Sequence, residues 1–411
     1  MKKNPLSLYI KNYAEAKAVS IGNDIPQDLL FDHTIVIPAY NEASDFLERL
    51  KKSVLSQTHL LIILIINQPD TIEATTDNKK LWDASIKTGE EISCKEDYHL
   101  LHWSNTQSHL LIVDCFNKNK CLPPKLGVGL ARKIGCDIAC VLIENKILTS
   151  QWIHTSDADT HLPNDYLDKM PATNDCSAAI YSFKHIPDKG NTEGSAIVEA
   201  TLLYEKALNY YVDGLRYAGS SYAYHSLGSC IVINTRAYAQ ARGFPKRAGA
   251  EDFYLLNKLR KLGPIKSLSN RPLLITARNS DRAPFGTGPA IKKFIEENVN
   301  VDNYKYYNPE LFTQLKIVLI HFDSLFLNKT NPSDWLNDLP QMSRDGLIEI
   351  GIASLFSHIQ AHANSHHQCA KQIHDWFDAF KTLKFIHSLD KKYDRILLEN
   401  ASKQLLERST Y

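Results

Sequence analysis

The chain lacks a surplus of either charge: 47 basic residues stand against 46 acidic ones, for a formal net charge of +1. A dedicated nucleic-acid binder usually carries a basic excess on the scale of a domain, so no nucleic-acid partner is expected. Long apolar runs are missing as well. The densest, Leu60 to Ile66, is far short of the ~20 residues that span a bilayer and reads as a buried strand, so no transmembrane segment is expected. The stretch MKKNPLSLYIKNYAEAKAVS is too interrupted by polar residues to be a secretion signal. Eight cysteines are scattered without a C-x-x-C pair, which excludes the usual signatures of a zinc knuckle or a redox motif. Cys136 and Cys140, four residues apart, share a helix face and read as packing. Without a secretion signal, the expectation is a reduced, cytoplasmic protein.

What is present is alternation, over a length of 411 residues that allows two or three domains. Residues 1–30 form a polar leader with a weak helical pattern. HTIVIPAYNEASDFLERLKKSVLSQ then predicts a β-branched strand, a turn with proline, and an amphipathic helix through Phe46, Leu47, Leu50 and Val54. HLLIILIINQPD predicts a strand covered on both faces, because it is apolar throughout. The polar stretch from Thr71 to Asn105 reads as one helix plus loops. SHLLIVDCF is a third strand, GVGLARKIGCDIACVLIENK a helix, and QWIHTSDAD a fourth strand ending on two carboxylates. Further strands follow at SAAIYSF and GSCIVIN, with helices at AIVEATLLYEKALNYYVDGLRYAG and AEDFYLLNKLRKLG. Strands alternating with helices predict an α/β domain with a mostly parallel sheet over residues 31–290. After RAPFGTGPA the character becomes helical, and residues 291–411 are expected to form a helical C-terminal region. There Asn308 and Pro309 mark a helix start, and Leu311, Leu315, Val318, Phe322 and Leu325 make one apolar stripe.

In such sheets ligands bind beyond the carboxyl ends of the strands, and the polar tails PAYNE, NQPD and SDADT all fall there. Asp157 and Asp159 are one residue apart, so their charges repel unless a cation, a shared proton or ample water relieves them. Mg²⁺ or Mn²⁺ held by one or two carboxylates plus substrate phosphates suits the pair, and His154, His161 or His225 are candidate additional ligands. Glu251 and Asp252 open a helix, where acidic residues also complement the macrodipole. Facing about 100° apart, one is free to point at a cleft as a general base while the other faces backbone amides. KLGVGLARKIG is a weak dinucleotide signal but a reasonable phosphate-facing helix start with Arg132. Arg278 and Arg282 flank a glycine-rich loop suited to closing over a diphosphate. His358, His362 and His366 are spaced as on one helix, with His367 and His374 nearby, and read as a solvated face.

Taken together, IVIPAYNE, LGVGLARKIG, TSDADT and GSCIVIN…GFPKRAGAED resemble, in order and spacing, the family 2 glycosyltransferases of the GT-A fold over about residues 31–290. The loop SDRAPFGTGPA and the later WFDAFKTLKFIHSL look like a soluble bacterial branch. The resemblance implies a GT-A type α/β fold with a mostly parallel sheet, a nucleotide-diphosphate-sugar donor (UDP- or GDP-sugar), Mn²⁺ or Mg²⁺, and inversion at the anomeric carbon. It implies that Pro38, Ala39, Tyr40, Glu42 and Asn67 hold the nucleoside, with Arg132, Asp157 and Arg282 also on the donor. Asp159 with Asp157 would hold the metal, and Asp252, with Glu251 beside it, would be the base. The family's second strand usually ends with an aspartate, and here NQPD stands instead. The QxxRW signature of processive synthases is absent, so one sugar per event is expected. Competing readings are a retaining GT-A enzyme of the glucosyl-phosphoglycerate synthase type, a haloacid-dehalogenase-type phosphatase using Asp157 in DADT, and a non-catalytic sugar-nucleotide binder. The helical region is a candidate surface for the acceptor, a second subunit or a membrane.

Overall fold

The computed structural model describes residues 4–71, 73, 75–168, 170–187, 196–277 and 287–409. Arg278 and Arg282 lie outside the described residues. The chain forms two compact units, Met1–Val198 with Ser226–Lys292, and Glu199–His225 with Lys293–Tyr411. The second unit thus takes in a segment from within the 31–290 span.

The first unit is built on a nine-stranded sheet. Its strands are β1 (His33–Ala39), β2 (Leu60–Asn67), β3 (Glu90–Lys95), β4 (Tyr98–His102), β5 (His109–Cys115), β6 (Trp152–Thr155), β8 (Ala178–Ile180), β10 (Ile231–Asn234) and β11 (Ile265–Ser267), in the order β11-β8-β10-β6-β1-β2-β5-β4-β3. Only β10 and β4 run against the rest, so seven of the nine strands point one way. This is the α/β class with a mostly parallel sheet that the alternation predicts. Three further strands, β7 (Thr160–His161), β9 (Phe183–Pro187) and β12 (Leu273–Ala277), make a small sheet in the order β7-β12-β9.

All eight positions of β2 are buried, as its unbroken apolar run requires of a strand covered on both faces. Each such aliphatic side chain contributes ~1.5–3 kcal/mol by leaving water. Helix α5 (Gly127–Glu144) packs on β1 and β2. A Cβ on its Gly135 would sit 2.3 Å from Val36 Cγ1, so glycine is what lets helix and sheet close to that spacing. Cys136 and Cys140 are buried on α5, in the packing role their spacing suggests.

One region carries the helical pattern of the sequence further, and another differs from the sequence reading. The polar leader folds as helices α1 (Pro5–Tyr13) and α2 (Ala16–Asp24), docked on α5. Tyr9 donates to Asp137 Oδ1 at 2.5 Å, and Lys133 Nζ donates to the Tyr9 hydroxyl at 2.5 Å and to Asp137 Oδ2 at 2.9 Å, all buried. Thr71 to Asn105 is not one helix plus loops: after α4 (Thr76–Ile86), β3 and β4 pair as an antiparallel hairpin that closes one edge of the sheet.

The second unit is helical. It includes α10 (Glu310–His321), whose stripe Leu311, Leu315 and Val318 is fully buried and continues into buried Phe322 and Leu325. Asn308 Oδ1 accepts from the Glu310 amide at 3.0 Å, the capping role expected of it. The histidine run is not on one helix: α13 (Ile352–His362) stops, and α14 (His366–Trp376) begins afresh with the Ser365 side chain accepting from the Gln368 amide. That serine cap competes with helix continuation and breaks the i, i+4, i+8 spacing after His362. No helix among the described residues is long and apolar enough to cross a membrane.

Candidate active site

Strands β1, β2, β5 and β6 are mutually parallel, so their carboxyl ends line one edge of the sheet. β6 lies between β1 and β10. The Ser156 amide donates to the Val36 carbonyl at 3.0 Å, and a turn closed by the Thr160 amide on the Asp157 carbonyl, at 3.1 Å, follows. Buried Ala158 anchors the turn between half-buried Asp157 and Asp159, and the Thr276 amide of β12 donates to the Asp159 carbonyl at 3.1 Å.

Arg132, in the second turn of α5 and only 3% exposed, is the hub. Its guanidinium donates to Asp157 Oδ1 at 2.6 Å, to Glu251 Oε1 at 3.0 Å, and to the Ser156 carbonyl at 3.3 Å. Part of the relief that the two aspartates need is therefore supplied by the chain itself. Gly228 is required alongside, because a Cβ there would lie 2.5 Å from the guanidinium. Despite burial, Asp157 and Glu251 hold Arg132 firmly protonated. A second arginine, Arg49 on α3 (Asp45–Lys52), donates to the carbonyls of Ala158 at 3.0 Å and Thr160 at 3.3 Å, and it senses the Asp159 charge. Sequence reasoning missed Arg49, whose place in an amphipathic helix gives no hint of this role.

Helix α8 (Glu251–Leu262) starts after Ala250, which adopts a left-handed φ of 58°, a conformation costing ~1–3 kcal/mol in a non-glycine residue. Of its first two residues, it is Asp252 that meets a backbone amide, while Glu251 meets a side chain. Buried Glu251 turns to Arg132, while half-buried Asp252 accepts from the Phe253 amide at 2.7 Å. Burial first, and the neighbouring Glu251 charge second, push the Asp252 carboxyl up to about 7.

The glycines of GVG serve backbone packing. A Cβ on Gly129 would lie 2.5 Å from the Pro245 carbonyl, and the Gly129 amide donates to the Arg247 carbonyl at 3.0 Å. The start of α5 thus meets the segment leading to α8, and that amide is not turned to a phosphate.

Pro38 and Ala39 are buried at the end of β1, and Tyr40 and Glu42 are half-buried in the turn beyond. Asn41 in that turn has a φ of 52°, and its backbone amide donates to Asn78 Oδ1 at 2.9 Å. Asn67 ends β2, and its side-chain Nδ2 donates to the Ala39 carbonyl at 3.1 Å, tying the two strand ends together. Among the flanking histidines, His154 is a core residue pushed down to about 3 by burial, with Nδ1 3.2 Å from the Tyr181 hydroxyl. His161 Nε2 is 3.3 Å from Thr276 Oγ1, and His225 belongs to the other compact unit.

The donor set around the turn is all oxygen: Asp157 and Asp159, with the buried Ser156 and Thr160 hydroxyls, which lack a hydrogen-bond partner among the described residues. Hard oxygen donors of this kind fit Mg²⁺ or Mn²⁺ rather than a thiophilic metal.

No family model matches the chain, and no curated protein matches it in sequence. Among solved structures it is similar to "Mannosyltransferase PcManGT from Pyrobaculum calidifontis in complex with GDP-Man and Mn2+", at 11% identity and a TM-score of 0.34, over 92% of this chain and 94% of that one.

Proposed function

We propose that the protein transfers one sugar from a nucleotide-diphosphate donor, UDP- or GDP-linked, to an acceptor hydroxyl, with inversion and with Mn²⁺ or Mg²⁺. The observation that carries this reading is the coupling, through Arg132, of the Asp157 turn to the Glu251–Asp252 helix start at the edge where the parallel strands end. Membership of the family 2 glycosyltransferases is part of the same proposal.

In this reading Pro38, Ala39, Tyr40, Glu42 and Asn67 border the nucleoside, and Asp157 and Asp159 hold the cation. A cation held there by Asp157 and Asp159 would offset negative charge that grows on the departing diphosphate. Asp252 takes the proton from the acceptor oxygen as that oxygen attacks the anomeric carbon from the face opposite the leaving group. The sugar–phosphate bond breaks in the same step, through an oxocarbenium-like state as in glycoside hydrolysis, and the nucleoside diphosphate leaves with the bonding electron pair. A carboxyl raised to about 7 suits the task, because a base works best when its pKa lies near the working pH. Arg132 serves as a positioning residue: its three bonds fix Asp157 and Glu251, and so the start of α8. Arg282 is the remaining candidate for the diphosphate.

The test is a thermal-shift screen of UDP- and GDP-sugars with and without Mn²⁺, on wild type and Asp159→Ala. A Mn²⁺-dependent shift with one donor class, lost in Asp159→Ala, is expected. Absence of any shift across both classes overturns the reading, and a shift that persists in Asp159→Ala overturns the metal assignment.

A further inference from the structure

We infer that the β3–β4 hairpin carries a second metal site, of the zinc class, formed by Glu91, Cys94 and His99. The hairpin closes the sheet five strands away from β6, roughly 24 Å at ~4.8 Å per strand, so the site is separate from the Asp157–Asp159 turn and does not depend on the reading of that turn.

The argument begins with register. Side chains alternate along a strand, so residues 91 and 94, an odd number apart, belong on opposite faces. Here the pairing shifts between Glu91 and Ser93: Glu91 faces Leu101, Ser93 faces Leu100, and Ile92 is the extra residue of a bulge. The insertion returns Glu91 and Cys94 to one face, and Cys94 pairs directly with His99 on the same side. Bulges recur where a strand must re-aim a side chain. The other face keeps an ordinary pairing, with Ser93 Oγ 3.2 Å from the Tyr98 hydroxyl.

The result is a thiol, an imidazole and a carboxylate whose ligand atoms all lie within 4.8 Å of one another. His99 Nδ1 is 2.5 Å from Glu91 Oε2. Zinc bonds of ~2.0–2.3 Å in tetrahedral geometry separate ligand atoms by roughly 3.3–3.7 Å, so rotamer adjustment of side chains alone would seat the ion. Glu91 and Cys94 are exposed and His99 is half-buried, its ring held edge-on by Trp82 at 5.3 Å. Approach from solvent is therefore open, and water fills the fourth position. Binding would displace the thiol proton and the proton shared by His99 and Glu91. This mixed sulfur, nitrogen and oxygen set selects Zn²⁺ or Co²⁺, in contrast to the all-oxygen turn.

The test uses the full chain titrated with Co²⁺, which reports thiolate ligation by a charge-transfer absorption in the near ultraviolet. One equivalent is expected to produce that band, and Zn²⁺ is expected to abolish it by displacement. Cys94→Ser should lose the band, His99→Gln and Glu91→Gln should weaken it, and Cys121→Ser and Asp159→Ala should keep it. Far-ultraviolet circular dichroism confirms that each variant folds. No band in the wild type, or a band undiminished in Cys94→Ser or in both His99→Gln and Glu91→Gln, overturns the site.

Discussion

Replacing Arg132 by methionine probes the hub directly and needs no knowledge of the substrate. The guanidinium is the charged partner of Glu251, whose side chain is 6% exposed, and of Asp157, whose side chain is 33% exposed. Methionine fills much of the space of the aliphatic stem but strands both carboxylates. Asp157 can recover water, whereas Glu251 cannot, so most of the cost falls on Glu251. Removing one partner of a buried ion pair costs ~3–5 kcal/mol, and that loss is expected in the free energy of urea unfolding. Two further readouts separate this mechanism from a packing defect. Glu251→Gln in the Arg132→Met background removes the stranded charge, so the double variant should be more stable than the sum of the singles by ~1–3 kcal/mol. The deficit of Arg132→Met should also shrink as pH falls, because an unpaired buried carboxyl binds a proton more tightly than an exposed one. Additivity within ~0.5 kcal/mol together with a pH-independent deficit would refute the hub.

For Asp252→Asn, a loss of ~10²–10⁴ in transfer rate is expected, and the wild-type rate should climb with pH through about 7 as the base ionises. The stability effect has the opposite sign: a folded pKa above the ordinary 3.8 means wild-type stability drops as pH rises from about 4 to about 7 and stays low above it. The asparagine variant lacks that decline, so it should be more stable than wild type at pH 8 and not at pH 4. Unfolding curves whose difference is flat between those values would contradict the assignment. Gly129→Ala places a Cβ 2.5 Å from the Pro245 carbonyl and 2.6 Å from the Arg247 carbonyl, both backbone atoms that give way reluctantly. It should destabilise by ~1–3 kcal/mol, and an unchanged melting temperature would show that the segment before α8 moves freely.

The elements that sequence pattern located are those whose pattern has a single cause. β1, β2 and β5 are buried along nearly their whole length, so apolar runs announce them. The β3–β4 hairpin is an edge, and edges carry charge to discourage pairing with other chains, so EEISCK reads as loop. Its bulge removes the remaining period-2 signal. In α1 and α2 a few residues such as Tyr9 and Ile21 do the docking, and the buried Tyr9–Asp137 bond spans 128 positions, beyond any local pattern.

The candidate site divides along the same line. The spacing of Asp157 and Asp159, and their place after a buried strand, are local properties and were legible. What relieves their repulsion is not local, because the Arg132–Glu251 contact joins positions 119 apart. From sequence, an arginine in a helix that follows two glycines reads as a phosphate ligand; in the fold the glycines admit the backbone of the 245–248 segment and the arginine is consumed by carboxylates. That reassignment changes the electrostatics of the proposed chemistry. Asp157 already meets a cation on Oδ1, and the backbone of the turn around Asp159 is held by Arg49 and by β12. Asp157→Asn should therefore lower the free energy of urea unfolding, by removing a partner of buried Arg132, as well as weaken the cation-dependent binding that Asp159→Ala should also lose.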